Sequence, residues 1–354
     1  MSVSFNYEKA LSLEWNGQLF VLTVRNETNY NANYLYSYDG KKWFTSSELS
    51  NSTILTSTNP YNVKWMGTNY AMIGNLATAD GNAILRSNDG IHFSPIQTNI
   101  SAPLYDLESN LEFQNTVTFP RNTTLALGGS ASDTTKIAYS IDEGFTWIPS
   151  ANSADVFTTT ANNAVWTGKT WVAVGEGGNT IATSKNANHW TGQGSYIFTN
   201  AGYGVAWSNE QSLIVAGGSG GTNSLAYSND GIFWNGLGNN LLSTVYDVQW
   251  NGSIWIACGV PISGNKSIIY STDGKHWNLP TQTDLFDVNG TKIAWNGSFW
   301  TVIGSSTSGN GSYNIATSVD GIHWTMQNNQ SFTNSIQNIY SSPLSQSTLY
   351  YSSG

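Results

Sequence analysis

The sequence predicts an all-β chain folded as a seven-bladed β-propeller of four-stranded antiparallel blades. A sevenfold internal repeat, two turn signals at fixed places within each repeat, and apolar runs of strand length without helical period carry this expectation.

The repeat is read from one turn. It occurs as SYDGKKW from Ser37, SNDGIHF from Ser87, SIDEGFTW from Ser140, SKNANHW from Ser184, SNDGIFW from Ser228, STDGKHW from Ser271 and SVDGIHW from Ser318. Successive copies begin 43 to 53 residues apart. A near-constant period of that size marks a solenoid, a propeller or an array.

A second landmark precedes each of these turns: WNGQLF from Trp15, WMGTNY from Trp65, FPRNTTL from Phe119, WTGKTW from Trp166, WSNEQSL from Trp207, WNGSIW from Trp250 and WNGSFW from Trp295. Each is expected to be a tight hairpin turn, since Asn-Gly pairs accept the positive φ of type I′ turns. Four strands per unit follow. In the sixth unit they read TVYDVQW, SIWIACG, KSIIYS and KHWNLP, from innermost to outermost. Stacking such units around an axis leaves only short, protected edges. A stacked solenoid is the rival arrangement, and it needs atypical end caps.

The expected blades cover residues 8–48, 58–97, 113–150, 161–194, 202–238, 244–281 and 290–328 of a single domain, with 1–7 and 335–354 closing the ring. An eighth, partial blade formed from both termini is the alternative.

Of the 354 residues, 10% are charged, against about a quarter in an average chain. Aromatics reach 13%, with 15 Trp, which argues against disorder. The net charge is −9, and 13 Lys plus Arg are spread thinly, so no basic patch is expected to displace counterions from a nucleic acid. Neither membrane insertion nor a signal peptide is expected, because no long apolar run and no basic-then-apolar start is present. The lone Cys258, in IWIACGV, reads as a buried small hydrophobe.

The turn S-x-D-(x)-G-x-x-W resembles the Asp-box, or BNR repeat, of sialidase-like propellers. The resemblance spans nearly the whole chain: SIDEGFTW has the full family spacing, the other copies lack one residue, and the fourth has Asn186 and Ala187 in place of Asp and Gly. It implies a structural turn on the outer part of each blade, facing away from any ligand. The chemistry agrees. An Asp in a short turn accepts backbone N–H bonds, Ser does so more weakly, Gly supplies an unusual φ, and the Trp buries a large area. Ser37, Asp39, Trp43, Asp89, Asp142, Trp147, Asn186, Asp230, Asp273 and Asp320 are thus expected to be structural. His92, His189, His276 and His323 all stand just before a box aromatic, so none is expected to act as a catalytic base or metal ligand.

The resemblance invites a test for sialidase chemistry, which uses three clamping arginines, a tyrosine nucleophile activated by a glutamate, an acid/base aspartate and an early F/Y-R-I-P motif. This chain has three arginines, Arg25, Arg86 and Arg121. Arg86 lies beside a box and Arg121 in a turn on the box side, and TFPRNTT lacks the motif, so sialidase activity is not expected. Paired carboxylates for glycoside hydrolysis must stand roughly 5 to 10 Å apart. The candidates on the loop face are Asp80, Asp106, Glu108, Glu112, Asp133, Asp155, Glu176, Asp284 and Asp287. Near the channel, Glu14 and Lys64 stand at matching places in adjacent blades and predict an ion pair.

Long irregular loops on a rigid scaffold usually carry recognition. The longest runs from about Ser94 to Asn115. Tyr105, Asp106 and Glu108, with Asp133 and Glu176 opposite, are the expected ligand patch. No catalytic residue, metal or cofactor is expected. The leading expectation is a binding or structural scaffold for a carbohydrate or protein surface, suited to an extracellular or virus-particle setting. The alternative is a glycoside hydrolase using two loop-face carboxylates.

Overall fold

A computed structural model describes residues 9–25, 32–39, 42–45, 59–75, 77–78, 81–100, 102–110, 123–262, 266–281, 285–305 and 313–326. The described strands follow the repeats. The first comprises β1 (Lys9–Trp15), β2 (Phe20–Arg25), β3 (Ala32–Ser37) and β4 (Phe44–Thr45). The second holds β5 (Asn59–Trp65), β6 (Tyr70–Asn75), β7 (Ala77–Thr78), β8 (Gly81–Ser87) and β9 (Ser94–Gln97). The third has β10 (Leu104–Ser109), β11 (Thr124–Gly128), β12 (Ile137–Ser140) and β13 (Ile148–Pro149), then the one-turn helix α1 (Ser153–Val156).

The fourth consists of β14 (Thr160–Trp166), β15 (Trp171–Glu176), β16 (Ile181–Ser184) and β17 (Thr191–Gly192). The fifth contains β18 (Ala201–Ser208), β19 (Leu213–Ser219), β20 (Leu225–Ser228) and β21 (Asn235–Gly236). The sixth is β22 (Leu242–Trp250), β23 (Trp255–Pro261) and β24 (Ile268–Ser271). The seventh closes with β25 (Asn289–Trp295), β26 (Trp300–Ser305), β27 (Tyr313–Ser318) and β28 (Thr325–Met326).

The chain is an all-β propeller, but it is not built from seven separate four-stranded blades, nor from eight. The described strands form five sheets of three to five strands and one eight-stranded sheet. The large sheet arises where Glu176, at the end of β15, pairs with Ala201, at the start of β18, joining the fourth and fifth repeats. Gly202 makes this approach possible: a Cβ there would stand 2.7 Å from Thr180 O and 2.7 Å from Val174 Cβ. In the sixth repeat the outermost strand shrinks to one bridge between Tyr270 and Asn278, followed shortly by Pro280, which has no N–H to extend a ladder. The second repeat gains the extra β7. Residues 1–7 and 335–354, expected to close the ring, lie outside the described residues.

Two smaller expectations also change. The Asn-Gly turns are four-residue loops rather than two-residue type I′ turns. Trp15 pairs with Phe20, Gly17 alone takes positive φ (95°), and Asn16 Oδ1 accepts from the N–H groups of Gln18 and Leu19. Asn251 and Asn296 do the same in the sixth and seventh repeats. The third repeat begins earlier than expected, because the stretch taken for the longest loop contains its innermost strand, β10.

The core lies between successive repeats. The second strand of each repeat has neighbours on both faces, which explains the unbroken apolar runs TLALG and WVAVG, almost wholly buried. Val172 and Val174 pack against Val205, Ile214 and Trp234 of the next repeat. Ile254, Ile256 and Cys258 pack against Phe286, Ile293 and Trp300. Cys258 is a buried free thiol in that layer.

Candidate functional site

The box turns bond most of their own polar groups, although Trp43 Nε1 of the first is buried without a partner among the described residues. Ser271 Oγ donates to Asp273 Oδ1 at 3.0 Å and accepts from Gly274 N–H at 2.9 Å. Asp273 Oδ1 accepts from Lys275 and His276 N–H at 2.9 and 2.8 Å, and Trp277 Nε1 donates to Gly274 O at 3.2 Å. Ser87 with Asp89, Ser228 with Asp230, and Ser318 with Asp320 repeat the pattern. In the first repeat Ser37 donates to Asp39, which accepts from Lys42 N–H near the partly buried Trp43. The longer third turn sends Thr146 N–H to Asp142, and Trp147 is buried behind it. Asn186 accepts from Asn188 and His189 N–H at 3.1 and 3.0 Å, so an amide oxygen replaces the carboxylate.

The Nδ1 atoms of His92, His276 and His323 lie 2.6, 2.6 and 2.7 Å from the Oδ2 atoms of Asp89, Asp273 and Asp320. Burial alone would raise these carboxyls. The hydrogen bonds from histidine and backbone outweigh it and hold all three below the ordinary carboxylate range.

The hub is different. The first strands of successive repeats, β1, β5, β10, β14, β18, β22 and β25, pack against one another. Each carries a β-bulge at the same place, and the residue after the bulge is Ser12, Asn62, Asp106, Asn163, Gly204, Asp247 or Lys292. These residues link repeat to repeat. Ser12 Oγ lies 3.3 Å from Asn62 Oδ1, and Asn62 Nδ2 donates to Asp106 Oδ1 at 3.0 Å. Asn163 Nδ2 donates to Asp106 Oδ2 at 2.9 Å, while Asn163 Oδ1 accepts from Val205 N–H at 3.1 Å. Asp247 Oδ2 accepts from Ile293 N–H at 3.0 Å.

Two residues further along each strand, a second layer follows. Glu14 Oε1 accepts from Trp65 N–H at 3.1 Å, and Lys64 Nζ donates to Leu107 O at 3.0 Å and lies 3.4 Å from Glu108 Oε2. Desolvation pushes Glu14 up to about 7, against the opposing pull of Lys64. Burial also pushes Glu108 up, with Lys64 opposing and Asp106 reinforcing the shift. Lys292 of the seventh repeat feels Asp247, Asp106 and Glu108 at once. Burial alone would lower it, and these acids raise it instead. Residues of the third and seventh repeats therefore act on one another electrostatically across the hub.

The bulged residue itself lies toward the loop-face end of its strand. It is Tyr61, Tyr105, Tyr203 or Tyr246 in four repeats and Leu11, Asn162 or Thr291 in the rest. Tyr61 and Tyr105 meet with ring centroids 5.3 Å apart at 59°, and Tyr203 and Tyr246 meet at 5.4 Å and 64°. All four keep part of their surface open, Tyr105 most clearly at 40%.

No family model matches the sequence, and no curated protein matches it. Solved structures do. The crystal structure of a Niastella koreensis GH74 enzyme superposes with a TM-score of 0.53 at 13% identity, covering 96% of this chain and 68% of that one. The WD40 domain of Neurospora crassa Pan2 gives 0.44 at 9% identity over 93% and 91%. A nidogen/laminin complex gives 0.38 at 10% identity over 77% and 80%. The first of these establishes likeness of fold.

The expected ligand patch is distributed over several settings. Tyr105 stands at the loop-face end of the hub, whereas Asp106 is only 6% exposed and held by two amides. Glu108 lies beside Lys64, and Asn163 Nδ2 reaches it at 3.3 Å, so Asp106 and Glu108 come together. Asp133 closes its own loop by accepting from Ser130 N–H and Oγ–H, both at 2.7 Å. Glu176 ends β15, where its backbone oxygen accepts from Thr159 N–H. Lys64 sits within electrostatic reach of Glu14, its expected partner, and makes its close contact with Glu108. Asp80, Glu112 and Asp284 lie outside the described residues, as do the side chain of Arg25 and all of Arg121. Among the described residues, no group of three or more His, Cys, Asp or Glu is placed to hold a metal ion.

Sequence reasoning missed the hub ring and three of the four tyrosines. The signal was present: the hub residue stands three positions, and the tyrosine four, before the tryptophan at or next to the end of the strand. In the third repeat that tryptophan is Ser109, which hid the register.

Proposed function

We propose that this protein is a non-catalytic propeller scaffold that binds a glycan or protein ligand on the face carrying the loops, at the end of the hub where Tyr61, Tyr105, Tyr203 and Tyr246 stand. The observation that carries the reading is Asp106. Both oxygens of the most central acid in the expected patch are committed to amides of neighbouring repeats, so it serves the ring. The Ser–Asp or Ser–Asn hydrogen bonds within all seven turns support placing the chain beside Asp-box propellers, with the boxes as structural corners and recognition on the opposite face.

A second reading rests on Glu108. Burial pushes its carboxyl up beside a second acid, which is how a general acid for glycoside cleavage is tuned. Chromogenic glycosides separate the two. The scaffold reading expects no turnover above buffer across α- and β-linked nitrophenyl hexosides. Turnover that disappears in Glu108→Gln, with the fold intact by circular dichroism, would establish the hydrolase instead.

A further inference from the structure

The bulge position shows what the fold itself requires. Leu11, Asn162 and Thr291 occupy it in three repeats, so neither bulge nor ring closure needs an aromatic there. Four repeats nevertheless carry tyrosine, and these meet in two corners of nearly equal geometry, one between the second and third repeats and one between the fifth and sixth. Packing does not consume them, since each keeps part of its surface open.

We infer that the loop-face end of the hub is a binding site for a neutral oligosaccharide, with the Tyr61–Tyr105 and Tyr203–Tyr246 corners stacking on the apolar faces of its sugar rings. The inference rests on the scaffold reading and names its ligand class. A pyranose ring offers a C–H face to an aromatic ring and hydroxyls to the polar groups around it. The charges that face this end decide against an ionic ligand. Asp106, Glu108 and Asp247 lie beneath the tyrosines, Asp133 acts on Tyr105 as well, and all four disfavour an anion. Their oxygens are already engaged by Asn62, Asn163, Lys64, Ile293 N–H and, at Asp133, Ser130, and Lys292 offsets the buried acids against a cation.

The test is calorimetric titration of the full chain with maltohexaose, mannohexaose and cellotetraose at millimolar concentration. Tyr105→Thr and Tyr246→Asn use residue types that the same position already accepts elsewhere in the ring. Tyr38→Ala, an exposed tyrosine on the box turn of the first repeat, is the control. The expected result is saturable binding of at least one oligosaccharide. Each hub variant should weaken it about three- to tenfold, as loss of one stacking contact does, while Tyr38→Ala leaves it unchanged. Tyr105→Phe, which keeps the ring, should bind within about twofold of wild type. Absence of binding to all three sugars, or binding indifferent to both hub substitutions, would overturn the site and leave the scaffold reading standing. Cleavage of a bound sugar into shorter products would overturn the scaffold reading and leave the site standing.

Discussion

Asn62 Nδ2 donates to Asp106 Oδ1 across 3.0 Å, tying the innermost strand of the second repeat to that of the third. Asn163 of the fourth repeat takes the other carboxylate oxygen at 2.9 Å, so one buried acid bridges three successive repeats. Asp106→Ala strands two amide donors in a place of little solvent, and a stability loss of about 2–4 kcal/mol is expected. Asp106→Asn keeps one acceptor and should lose roughly half as much. Urea unfolding followed by tryptophan fluorescence measures both. An alanine variant within about 0.5 kcal/mol of wild type would show that the bridge contributes nothing.

Gly274 has φ +70°, and a Cβ built there would fall 2.5 Å from Leu213 Cδ2 of the preceding repeat. The turn thus serves as a corner and as a wedge between sheets. Gly274→Ala combines an unfavourable φ with a steric clash and should cost about 1–3 kcal/mol. Ala187, the equivalent residue of the fourth repeat, already sits at φ 60°, so Ala187→Gly should stay within about 1 kcal/mol of wild type. Thermal melts of the two variants provide the comparison, and equal effects would count against the wedge.

The contrast between turns and hub explains what the sequence disclosed. A box turn is local: Ser271, Asp273 and Gly274 lie within four residues, so their chemistry can be read from spacing alone. The hub brings Asn62 and Asn163, about a hundred positions apart in sequence, to the two oxygens of Asp106, and only the register of the innermost strands aligns them. Asp106 read as a loop acid because Ser109 replaces the marker tryptophan. The number of sheets was equally hidden. The fusion of the fourth and fifth repeats depends on one pairing, Glu176 with Ala201, and on the missing side chain of Gly202, neither of which alters the repeat pattern.

Glu14 makes stability depend on pH in a definite direction. Desolvation raises its carboxyl from 4.5 to about 7, so the fold favours the neutral acid. A group raised in the folded state gives its full contribution below its unfolded value and loses it as pH climbs through the folded one. Stability should therefore decline between pH 4.5 and about 7, with Glu108 adding to the slope in the same direction. Asp142 and Asp230 act oppositely: their carboxyls are lowered, and their contribution fades as pH falls below 3.8. Melting temperatures across this range should trace a dome, and Glu14→Gln should flatten its alkaline side. An unchanged slope in that variant would remove Glu14 from the account.

Asp230 offers the sharpest test of whether a box acid is needed as an acid. Its Oδ1 accepts from Ile232 and Phe233 N–H at 2.8 and 2.9 Å and from Ser228 Oγ at 3.1 Å, a pattern that an amide oxygen can reproduce. Asn186 demonstrates this in the neighbouring repeat, accepting from Asn188 and His189 N–H at 3.1 and 3.0 Å. Asp230 also lacks the histidine whose Nδ1 meets the second carboxylate oxygen of Asp89, Asp273 and Asp320, because Phe233 stands in that place. Asp230→Asn, which keeps the acceptor and loses only the charge that these bonds favour, should therefore cost no more than about 1 kcal/mol at neutral pH, whereas Asp230→Ala, which removes the acceptor, should cost about 1–2 kcal/mol, as loss of a helix N-cap does. Asp273→Asn should be worse than Asp230→Asn, since it also replaces the carboxylate oxygen that meets His276 Nδ1 at 2.6 Å. Equal losses for the two asparagine variants in urea titrations would mean that the histidine pairing carries no weight.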